Sequence, residues 1–361
     1  MKIGISSAET SGDLLAAALI KSIKKNSPKV TIEGMAGDKM LDAGCQKRWD
    51  MNQANVMGFS EVLKKLPALV SLRKSIIRYF SQNRPDVFIG VDSPDFNFVI
   101  ENKLKQKGVK TVHFVSPSIW AWRQSRVKNI KKSTDLMLCV FPFEVDFYRQ
   151  YNMNALFVGH PLADVLAPRK AHKHNKKILL MPGSREGEIK RLLPEMLLAA
   201  NEMRQQDSEY QFHLALANDN LLEWALEQTI KMGIEVSTGD AHTRIAQSDL
   251  VVVASGTATL EVALIGVPMV VVYKLSTLSY WIASLLVKTK FVSLPNLIAN
   301  KSLVPELIQH QANGKQIAKT AREVLSGDHE MLSEAFLDIH KQLKHNAADS
   351  AAKAILKFAH E

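Results

Sequence analysis

The feature that most constrains the fold is a repeated alternation of short apolar runs, rich in β-branched residues, with segments of helical periodicity. The runs are KIGIS (2–6), KVTIEGMA (29–36), DVFIGV (86–91), KTVHFVS (110–116), DLMLCVF (135–141), KKILLMPGS (176–184), YQFHLAL (210–216), DLVVVAS (249–255) and PMVVVYK (268–274). Parallel strands joined by crossover helices produce this pattern. The sequence therefore predicts an α/β protein with doubly wound parallel sheets.

The alternation pauses at residues 157–177, FVGHPLADVLAPRKAHKHNKK, which contain Pro161, Pro168 and a basic, polar tail. This stretch is typical of a linker, and 361 residues are enough for two domains. We expect one Rossmann-like domain at 1–165 and a second at 166–340. The segment 341–361 has helical spacing and should close the second domain or cross back to the first. Two such domains facing each other would place ligands in a cleft at the carboxyl ends of their strands.

Cysteine content and apolar patterning bear on the cellular compartment. Cys45 and Cys139 are the only cysteines and do not have zinc-site spacing, so we expect a reducing compartment without a disulfide framework. The strongest apolar stretch, residues 262–273, is interrupted by Gly266 and Pro268. The first residues contain no extended apolar core followed by a cleavage site, so neither export nor a membrane span is expected.

The net charge of +10 and the sequence pI of about 9.4 favour an anionic partner: nucleic acid, anionic lipid or a phosphorylated substrate. The basic excess lies mainly at residues 61–84 and 123–132. The sequence has no finger spacing, no aromatic RNA-binding motif and no basic tail, so we expect no nucleic-acid partner. Anionic lipid and a phosphorylated substrate therefore remain as the expected partners.

Two turns in the second half have the composition of anion sites. In MPGSREGEI (181–189), Gly183 sets a sharp turn, Ser184 can cap a helix and Arg185 offers a fork of donors to a diphosphate. In SGTATLE (255–261), small residues let backbone amides approach phosphate oxygens, and a carboxylate one turn later can accept from ribose hydroxyls. The residues assigned to these roles are Ser255, Gly256, Thr257, Thr259 and Glu261.

Each turn also has a structural interpretation. Arg185 could pair with Glu186 or Glu188 on the surface, and Gly256 with Thr257 could form an ordinary turn and cap, with Glu261 favoured by the helix dipole. Without a lysine P-loop, two anion turns in one half suggest a nucleoside diphosphate.

The first turn, SAETSGD (7–13), places Ser11 and Gly12 between a strand and a helix. Amides at a helix start can hold an anion or a sugar hydroxyl. The stretch is neither G-x-G-x-x-G nor a P-loop, and the alternative is a tight turn capped by Ser11 or Asp13.

Taken together and in this order, a set of motifs resembles the lipid-A-disaccharide synthase family from residue 3 to about 310. The motifs are SAETSGD, GMAGDKM, MGFSEVL, DSPDFN, SPSIWAWR, PFEVDFY, VGHPLAD, MPGSREGEI, SGTATLE and LPNLIANKSLVPEL. One departure is that Ala8 and Thr10 flank Glu9, where the family usually has Gly before and Ala after it.

The resemblance implies a GT-B fold and an inverting glycosyltransferase that needs neither metal nor cofactor. The implied donor is UDP-2,3-diacylglucosamine, the acceptor is 2,3-diacylglucosamine 1-phosphate, and the products are the β-1,6 disaccharide of lipid A and UDP. It also implies Ala258 and Asn296 as UDP contacts, a possible homodimer, and a cytoplasmic enzyme bound peripherally to the inner membrane.

An inverting transfer needs a base for the acceptor hydroxyl. Asp92 directly follows the apolar run ending at Val91 and is the predicted general base. Asp95, after Pro94, is expected to cap the next helix or orient Asp92, and Glu9 is the reserve candidate. The alternative is that both aspartates merely end a strand and start a helix.

SPSIWAWRQSR (116–126) should follow another strand end, with Trp122 and Arg123 as acceptor contacts. Tryptophan faces pack on sugar rings or acyl chains, and Arg123 and Arg126 could bind the acceptor phosphate. The alternative places the tryptophans in the core and the arginines on a solvated helix. His160 is expected to be a hydrogen-bonded hinge residue.

The stretch 56–80 predicts a membrane-docking helix. Helical spacing gathers Leu69, Leu72 and Arg73 on one face, where a guanidinium could reach lipid phosphate while its stem lies among acyl chains. The alternative is an internal helix with Arg73 in a salt bridge. The rival functions are another GT-B UDP-sugar glycosyltransferase, a UDP-N-acetylglucosamine epimerase and a non-catalytic nucleotide-sugar binder.

Overall fold

The structure is a computed structural model that describes residues 1–54, 59–170, 175–276, 280–281 and 289–361, without the side chains of 59–65. These residues form two compact units. Unit 1 comprises Met1–Asp164 together with Leu343–Glu361, and unit 2 comprises Val165–Gln342.

Unit 1 contains a seven-stranded, wholly parallel sheet with the order β3-β2-β1-β4-β5-β6-β7. Its strands are β1 (Lys2–Ser7), β2 (Thr31–Ala36), β3 (Gln46–Asp50), β4 (Val87–Val91), β5 (Lys110–Phe114), β6 (Leu136–Cys139) and β7 (Ala155–Phe157). The chain builds outwards in both directions from the β1–β4 pair. The loops that follow these two strands therefore meet at the switch point of the sheet, where ligands bind in such folds.

Helices cover both faces of this sheet. They are α1 (Thr10–Asn26), α2 (Asp38–Asp42), α3 (Phe59–Gln82), α4 (Pro94–Lys105), α5 (Ile119–Trp122), α6 (Val127–Ser133), α7 (Pro142–Arg149) and α8 (Pro161–Val165), the last ending at the boundary between the units. Strand β4 is buried along its whole length, which explains its uninterrupted apolar sequence VFIGV.

Unit 2 contains a six-stranded parallel sheet with the order β10-β9-β8-β11-β12-β13. Its strands are β8 (Lys177–Met181), β9 (Gln211–Leu216), β10 (Glu235–Thr238), β11 (Leu250–Ala254), β12 (Met269–Tyr273) and β13 (Glu306–Ile308). Here the switch point lies between β8 and β11. The prediction of two parallel-sheet α/β halves is thus confirmed.

Among the described residues of unit 2, the α-helices are α9 (Glu186–Gln206), α10 (Leu222–Thr229), α11 (Ala241–Ala246), α12 (Thr257–Ile265), α13 (Leu294–Ala299), α14 (Gly314–Ser326) and α15 (Glu330–Leu343), which ends at the boundary. Helices α9 and α14 pack closely together, and α9 buries Leu192, Leu193 and Met196 in the core. This packing fixes the start of α9 against the end of β8.

The last helix, α16 (Ala347–His360), packs against α1 of unit 1. The Asp164 carboxylate accepts the amides of Asn346 (2.9 Å) and Ala347 (2.6 Å) and so caps this helix. The His160 amide donates to the carbonyl oxygen of Leu343 at 2.9 Å. The motif VGHPLAD therefore anchors the returning chain to unit 1.

Throughout the part of the chain that the structure describes, no helix has both the length and the apolar character needed to cross a membrane.

Candidate active site

Unit 2 contains a cavity of about 430 Å³ at its switch point, within the size range of small-molecule sites. The ends of β8, β9 and β11 and the starts of α11 and α12 line it, and the predicted nucleotide residues among the lining are Gly183, Ser184, Arg185, Ser255, Gly256, Thr257, Ala258 and Glu261. The two sequence-predicted anion turns are therefore brought to one site.

Backbone geometry shapes the two turns. Gly183 has a φ of +113° and Gly256 a φ of +155°, values that favour glycine. A Cβ at Gly183 would also lie 2.9 Å from Glu188 Oε2. Thr257 and Ala258 begin α12, and among the described residues their amides have no backbone acceptor. These amides at a helix N-terminus can hold an anionic oxygen.

Arg185, Glu188 and Glu261 are the charged residues that line this cavity, and each has a side-chain partner. Arg185 is 82% exposed and donates to Glu188 Oε1 at 2.9 Å, which is the surface pair considered as the alternative in the sequence. Glu261 Oε2 lies 2.9 Å from His242 Nε2. The sequence motifs do not include His242, which lies in α11, and only the fold brings it to Glu261.

Two predicted nucleotide contacts, Thr259 and Asn296, need correction, because their side-chain polar atoms already have partners in unit 2. A third, Ser255, lines the cavity, but its hydroxyl also has a partner. The Ser255 hydroxyl donates to the Val292 carbonyl oxygen at 2.7 Å. Thr259 is fully buried, and its hydroxyl donates to the Gly256 carbonyl oxygen (2.8 Å) and accepts the Leu294 amide (3.2 Å). These two hydroxyls stabilise the turn.

Asn296 is also fully buried. Its Nδ2 donates to the Val304 carbonyl oxygen (2.9 Å) and to Glu306 Oε1 (2.8 Å). Its Oδ1 accepts the amides of Leu303 (2.7 Å) and Val304 (3.0 Å). All of the hydrogen-bonding capacity of the amide is used within the fold, so the prediction of a UDP contact through this side chain is wrong for this structure.

The switch point of unit 1 brings Asp92 and Ser11 together. Asp92 follows β4 and is partly exposed, and its backbone amide donates to the carbonyl oxygen of Phe114 at 2.9 Å. Its Oδ1 accepts the Ser93 amide at 2.8 Å, and its Oδ2 lies 3.4 Å from the Ser11 hydroxyl. A carboxylate held in this way at a sheet edge keeps capacity to accept a proton from a bound hydroxyl.

The loop after β1 packs against the same sheet edge. A Cβ at Gly12, in the first turn of α1, would lie 2.5 Å from the Ser7 hydroxyl and 3.6 Å from the Asp92 Cβ, so this position needs glycine for close approach. Glu9 occupies the N-cap position of α1 and is exposed, but its side chain makes no capping bond. Asp13, named as a possible cap, instead accepts the amides of Gly37, Lys39 and Met40.

Asp95 does not have the capping or orienting role predicted for it. It lies in the first turn of α4, its carboxylate is 79% exposed, and it forms an ion pair with Arg126. Asp92 is instead contacted by Ser93 and Ser11. The two aspartates therefore have different surroundings although they are three residues apart.

The aromatic segment after β5 is partly on the surface. Trp122 is 41% exposed, and the Arg123 guanidinium lies 4.0 Å from the centroid of its ring. Trp120 is partly buried and donates from Nε1 to Glu144 Oε1 at 3.2 Å. Trp122 and Arg123 are thus accessible, whereas Trp120 is a structural residue.

The predicted lipid-facing stripe of α3 also needs correction. Residues 56–58 of the stretch lie outside the described residues. Leu69 and Leu72 are each 8% exposed and belong to the core cluster of unit 1. Arg73 donates from its guanidinium to the Asp95 carbonyl oxygen at 2.8 Å and lies 5.0 Å from the Phe96 ring centroid, and burial lowers its pKa. This face packs on α4 rather than facing lipid.

Among the described residues, no group of three or more His, Cys, Asp and Glu side chains is arranged to hold a metal ion.

Almost the whole chain is similar to one family of known proteins. The family model described as lipid-A-disaccharide synthetase matches residues 3–356. A lipid-A-disaccharide synthase of Hahella chejuensis is 43% identical over 373 residues, covering 99% of this chain and 94% of the relative.

Two solved structures share the fold. The UDP-GlcNAc 2-epimerase of Neisseria meningitidis, bound to UDP-GlcNAc, has a TM-score of 0.67 at 12% identity and covers 99% of this chain and 100% of its own. MurG of Acinetobacter baumannii has a TM-score of 0.59 at 15% identity and covers 99% of each chain. These likenesses confirm the GT-B type of fold.

Proposed function

Because this chain belongs to the lipid-A-disaccharide synthetase family, and so is a glycosyltransferase, we propose that it transfers 2,3-diacylglucosamine from UDP to 2,3-diacylglucosamine 1-phosphate. The products are the β-1,6-linked disaccharide 1-phosphate and UDP. The observation that supports this proposal is the cavity at the switch point of unit 2, where the two turns predicted to bind an anion and the Glu261 carboxylate converge.

In this proposal, the UDP moiety occupies that cavity. The amides of Thr257 and Ala258 and the guanidinium of Arg185 contact the diphosphate, which carries increasing negative charge as the sugar leaves. Glu261 accepts hydrogen bonds from the ribose hydroxyls through the oxygen that His242 does not contact. Because Arg185 is exposed and bonded only to Glu188 among the described residues, it can reorient towards a phosphate at little cost.

Asp92 is the proposed general base. Its carboxylate accepts the proton of the acceptor 6-hydroxyl as that oxygen attacks the anomeric carbon of the donor. The bond from the anomeric carbon to the UDP oxygen breaks, UDP leaves with the electron pair, and the configuration inverts. Base catalysis of this kind contributes about a hundredfold to ten-thousandfold to the rate.

We place the enzyme in the cytoplasm, docked on the inner membrane through the exposed side of α3. Leu66 is 46% exposed and Val70 is 38% exposed. Lys74 and Arg78, also exposed, continue the same spacing along the helix. Apolar side chains beside cations suit a surface that lies among anionic headgroups, from which acylated substrates are taken.

Release of UDP is the test, measured for the wild type, Asp92→Asn and Asp95→Asn with both acylated substrates present. We expect the wild type to release UDP only when both substrates are supplied. Asp92→Asn should bind UDP normally and lose turnover by at least about a hundredfold. Asp95→Asn is the matched control, because it removes an exposed carboxylate from the same motif.

Three results would contradict the proposal. Turnover of UDP-N-acetylglucosamine without an acceptor would indicate an epimerase. Transfer to a different lipid acceptor only would indicate another glycosyltransferase. Near-normal turnover by Asp92→Asn would move the base to Asp95 or Glu9.

A further inference from the structure

The backbone at the proposed base is unusual. Asp92 and Ser93 are consecutive non-glycine residues with φ values of +52° and +44°. Residues other than glycine rarely adopt this left-handed backbone conformation, and it persists only where the surroundings fix it. The conformation matters here because it directs the Ser93 amide back to Asp92 Oδ1.

The Asn97 side chain contacts this backbone. Asn97 lies in the first part of α4 and is fully buried. Its Nδ2 lies 2.8 Å from the Asp92 carbonyl oxygen, 3.2 Å from that of Val91 and 3.4 Å from that of Ser6. The shortest bond goes to the peptide that joins Asp92 to Ser93. Since Ser6 belongs to β1 and Val91 to β4, the same amide spans the switch point.

The neighbouring residues hold α4 close enough for these bonds. A Cβ on Gly90 would lie 2.9 Å from the Asn97 Cβ and 2.0 Å from Glu101 Oε1. One turn along the helix, Glu101 Oε1 lies 2.6 Å from His113 Nδ1, and both side chains are fully buried. Gly90 thus provides the space, and the Glu101–His113 pair attaches the helix to β5.

We propose that Asn97 is a positioning residue for the transfer reaction: it fixes the left-handed backbone of Asp92 and Ser93 and so aims the Asp92 carboxylate at the acceptor hydroxyl. This inference rests on the proposed function, because it takes Asp92 as the base. Asn97 itself contacts no reacting atom and acts only through Asp92.

The test compares Asn97→Asp with Asn102→Asp. Asn97→Asp keeps the size of the side chain but turns an oxygen or a protonated oxygen towards three carbonyls, so the donor pair is lost. Asn102 lies on the same helix and donates to the Lys132 carbonyl oxygen at 3.0 Å, away from the switch point. Asn97→Ala is the second variant, used if Asn97→Asp does not fold.

All activities are expressed per folded molecule, at a temperature well below each unfolding midpoint. We expect the Asn97 variants to lower kcat about tenfold to a hundredfold, because misplacing a catalytic group by about 1 Å has an effect of this size. KM for both substrates and Kd for UDP should stay within about threefold, and Asn102→Asp should keep wild-type kcat. A purely structural residue would lower the unfolding temperature without this split between kcat and KM.

A double-mutant cycle completes the test. If Asn97 acts through Asp92, Asn97→Ala should lower the residual rate of Asp92→Asn by less than about twofold, because the positioned group is already gone. The inference is overturned if kcat of the Asn97 variants stays within about twofold of wild type, or if the full loss recurs in the Asp92→Asn background. A wild type without turnover would contradict the proposed function, and a fully active Asp92→Asn would contradict the assignment of Asp92 as the base. The same assay recognises both results.

Discussion

Arg185→Ala separates the two interpretations of Arg185, an exposed residue that lines the cavity of unit 2. If Arg185 only pairs with Glu188, its loss removes one ion pair between residues three apart, in which the guanidinium is 82% exposed and the carboxylate 13% exposed. Such a pair contributes less than about 0.5 kcal/mol, so the free energy of unfolding should hardly change in either case. If Arg185 binds the diphosphate, the substitution also removes a charge-assisted hydrogen bond, which contributes about 1.5–3 kcal/mol.

That energy corresponds to a Kd for UDP about tenfold to 150-fold higher than that of the wild type. Isothermal titration calorimetry with UDP measures the change directly, and Lys190→Ala is the matched control. Lys190 pairs with Glu186 at 2.6 Å on the same helix, and neither residue lines the cavity. A Kd for Arg185→Ala within about twofold of wild type would show that Arg185 is a surface charge and refute its role in binding the diphosphate.

Three further predictions concern other parts of the molecule. Asn296→Ala should lower the free energy of unfolding by about 3 kcal/mol in urea titrations, since it leaves several buried groups without partners, while Kd for UDP stays within about threefold. EDTA should leave UDP release unchanged, because amides and Arg185 contact the diphosphate in the proposed site; a strict magnesium requirement would contradict this. Leu66→Ser with Val70→Ser should reduce co-sedimentation with anionic liposomes, whereas unchanged binding at low and high salt would exclude this face as the docking surface.

The strands that the sequence did not predict are β3, β7, β10 and β13, and each lies at an edge of its sheet. An edge strand has one neighbour and is partly solvated, so its sequence need not be a continuous apolar run. The strand β3, QKRWD, has no fully buried residue, whereas β11, LVVVA, is buried throughout. Periodicity therefore identifies the centre of such a sheet and misses its margins.

Polar residues in the site motifs were predicted less well, because the type of a residue does not reveal its partners. Thr259 and Asn296 lie in the predicted motifs and have the chemistry of ligand contacts, yet the fold uses their polar atoms internally. The position of Asp92 at a strand end follows from the apolar run before it. The role inferred for Asn97 does not follow from the sequence, because the carbonyl oxygens that it contacts include those of two strands that are distant in sequence.

Leu72 and Arg73 show the same limit for a helix face. A stripe that includes a cation suggests a lipid surface, but inside unit 1 this guanidinium donates to a carbonyl oxygen and lies over an aromatic ring. Sequence spacing identifies a common face of the helix, and only the fold shows what covers that face.

His160 leads to a prediction about acid stability. It is buried in unit 1, its Nδ1 accepts the Leu162 amide at 3.2 Å, and its ring lies 5.1 Å from that of Phe141. Burial lowers the pKa of His160 from 6.5 to about 4. Because the folded pKa is below the unfolded one, the unfolded chain binds the proton first as the pH falls. The stabilisation by neutral His160 is therefore complete above pH 6.5 and is lost as the pH falls towards 4.

From pH 7.5 to pH 4.5, this linkage should lower the free energy of unfolding of the wild type by about 2–3 kcal/mol. His160→Asn should not show this loss, because asparagine can accept the Leu162 amide without titrating. Urea unfolding of both proteins at the two pH values, followed by tryptophan fluorescence, measures the difference. Replacing the exposed His310 by asparagine is the control and should leave the wild-type pH dependence unchanged. An identical pH dependence in the wild type and His160→Asn would mean that the buried imidazole takes up its proton without unfolding, and the argument from burial would then fail.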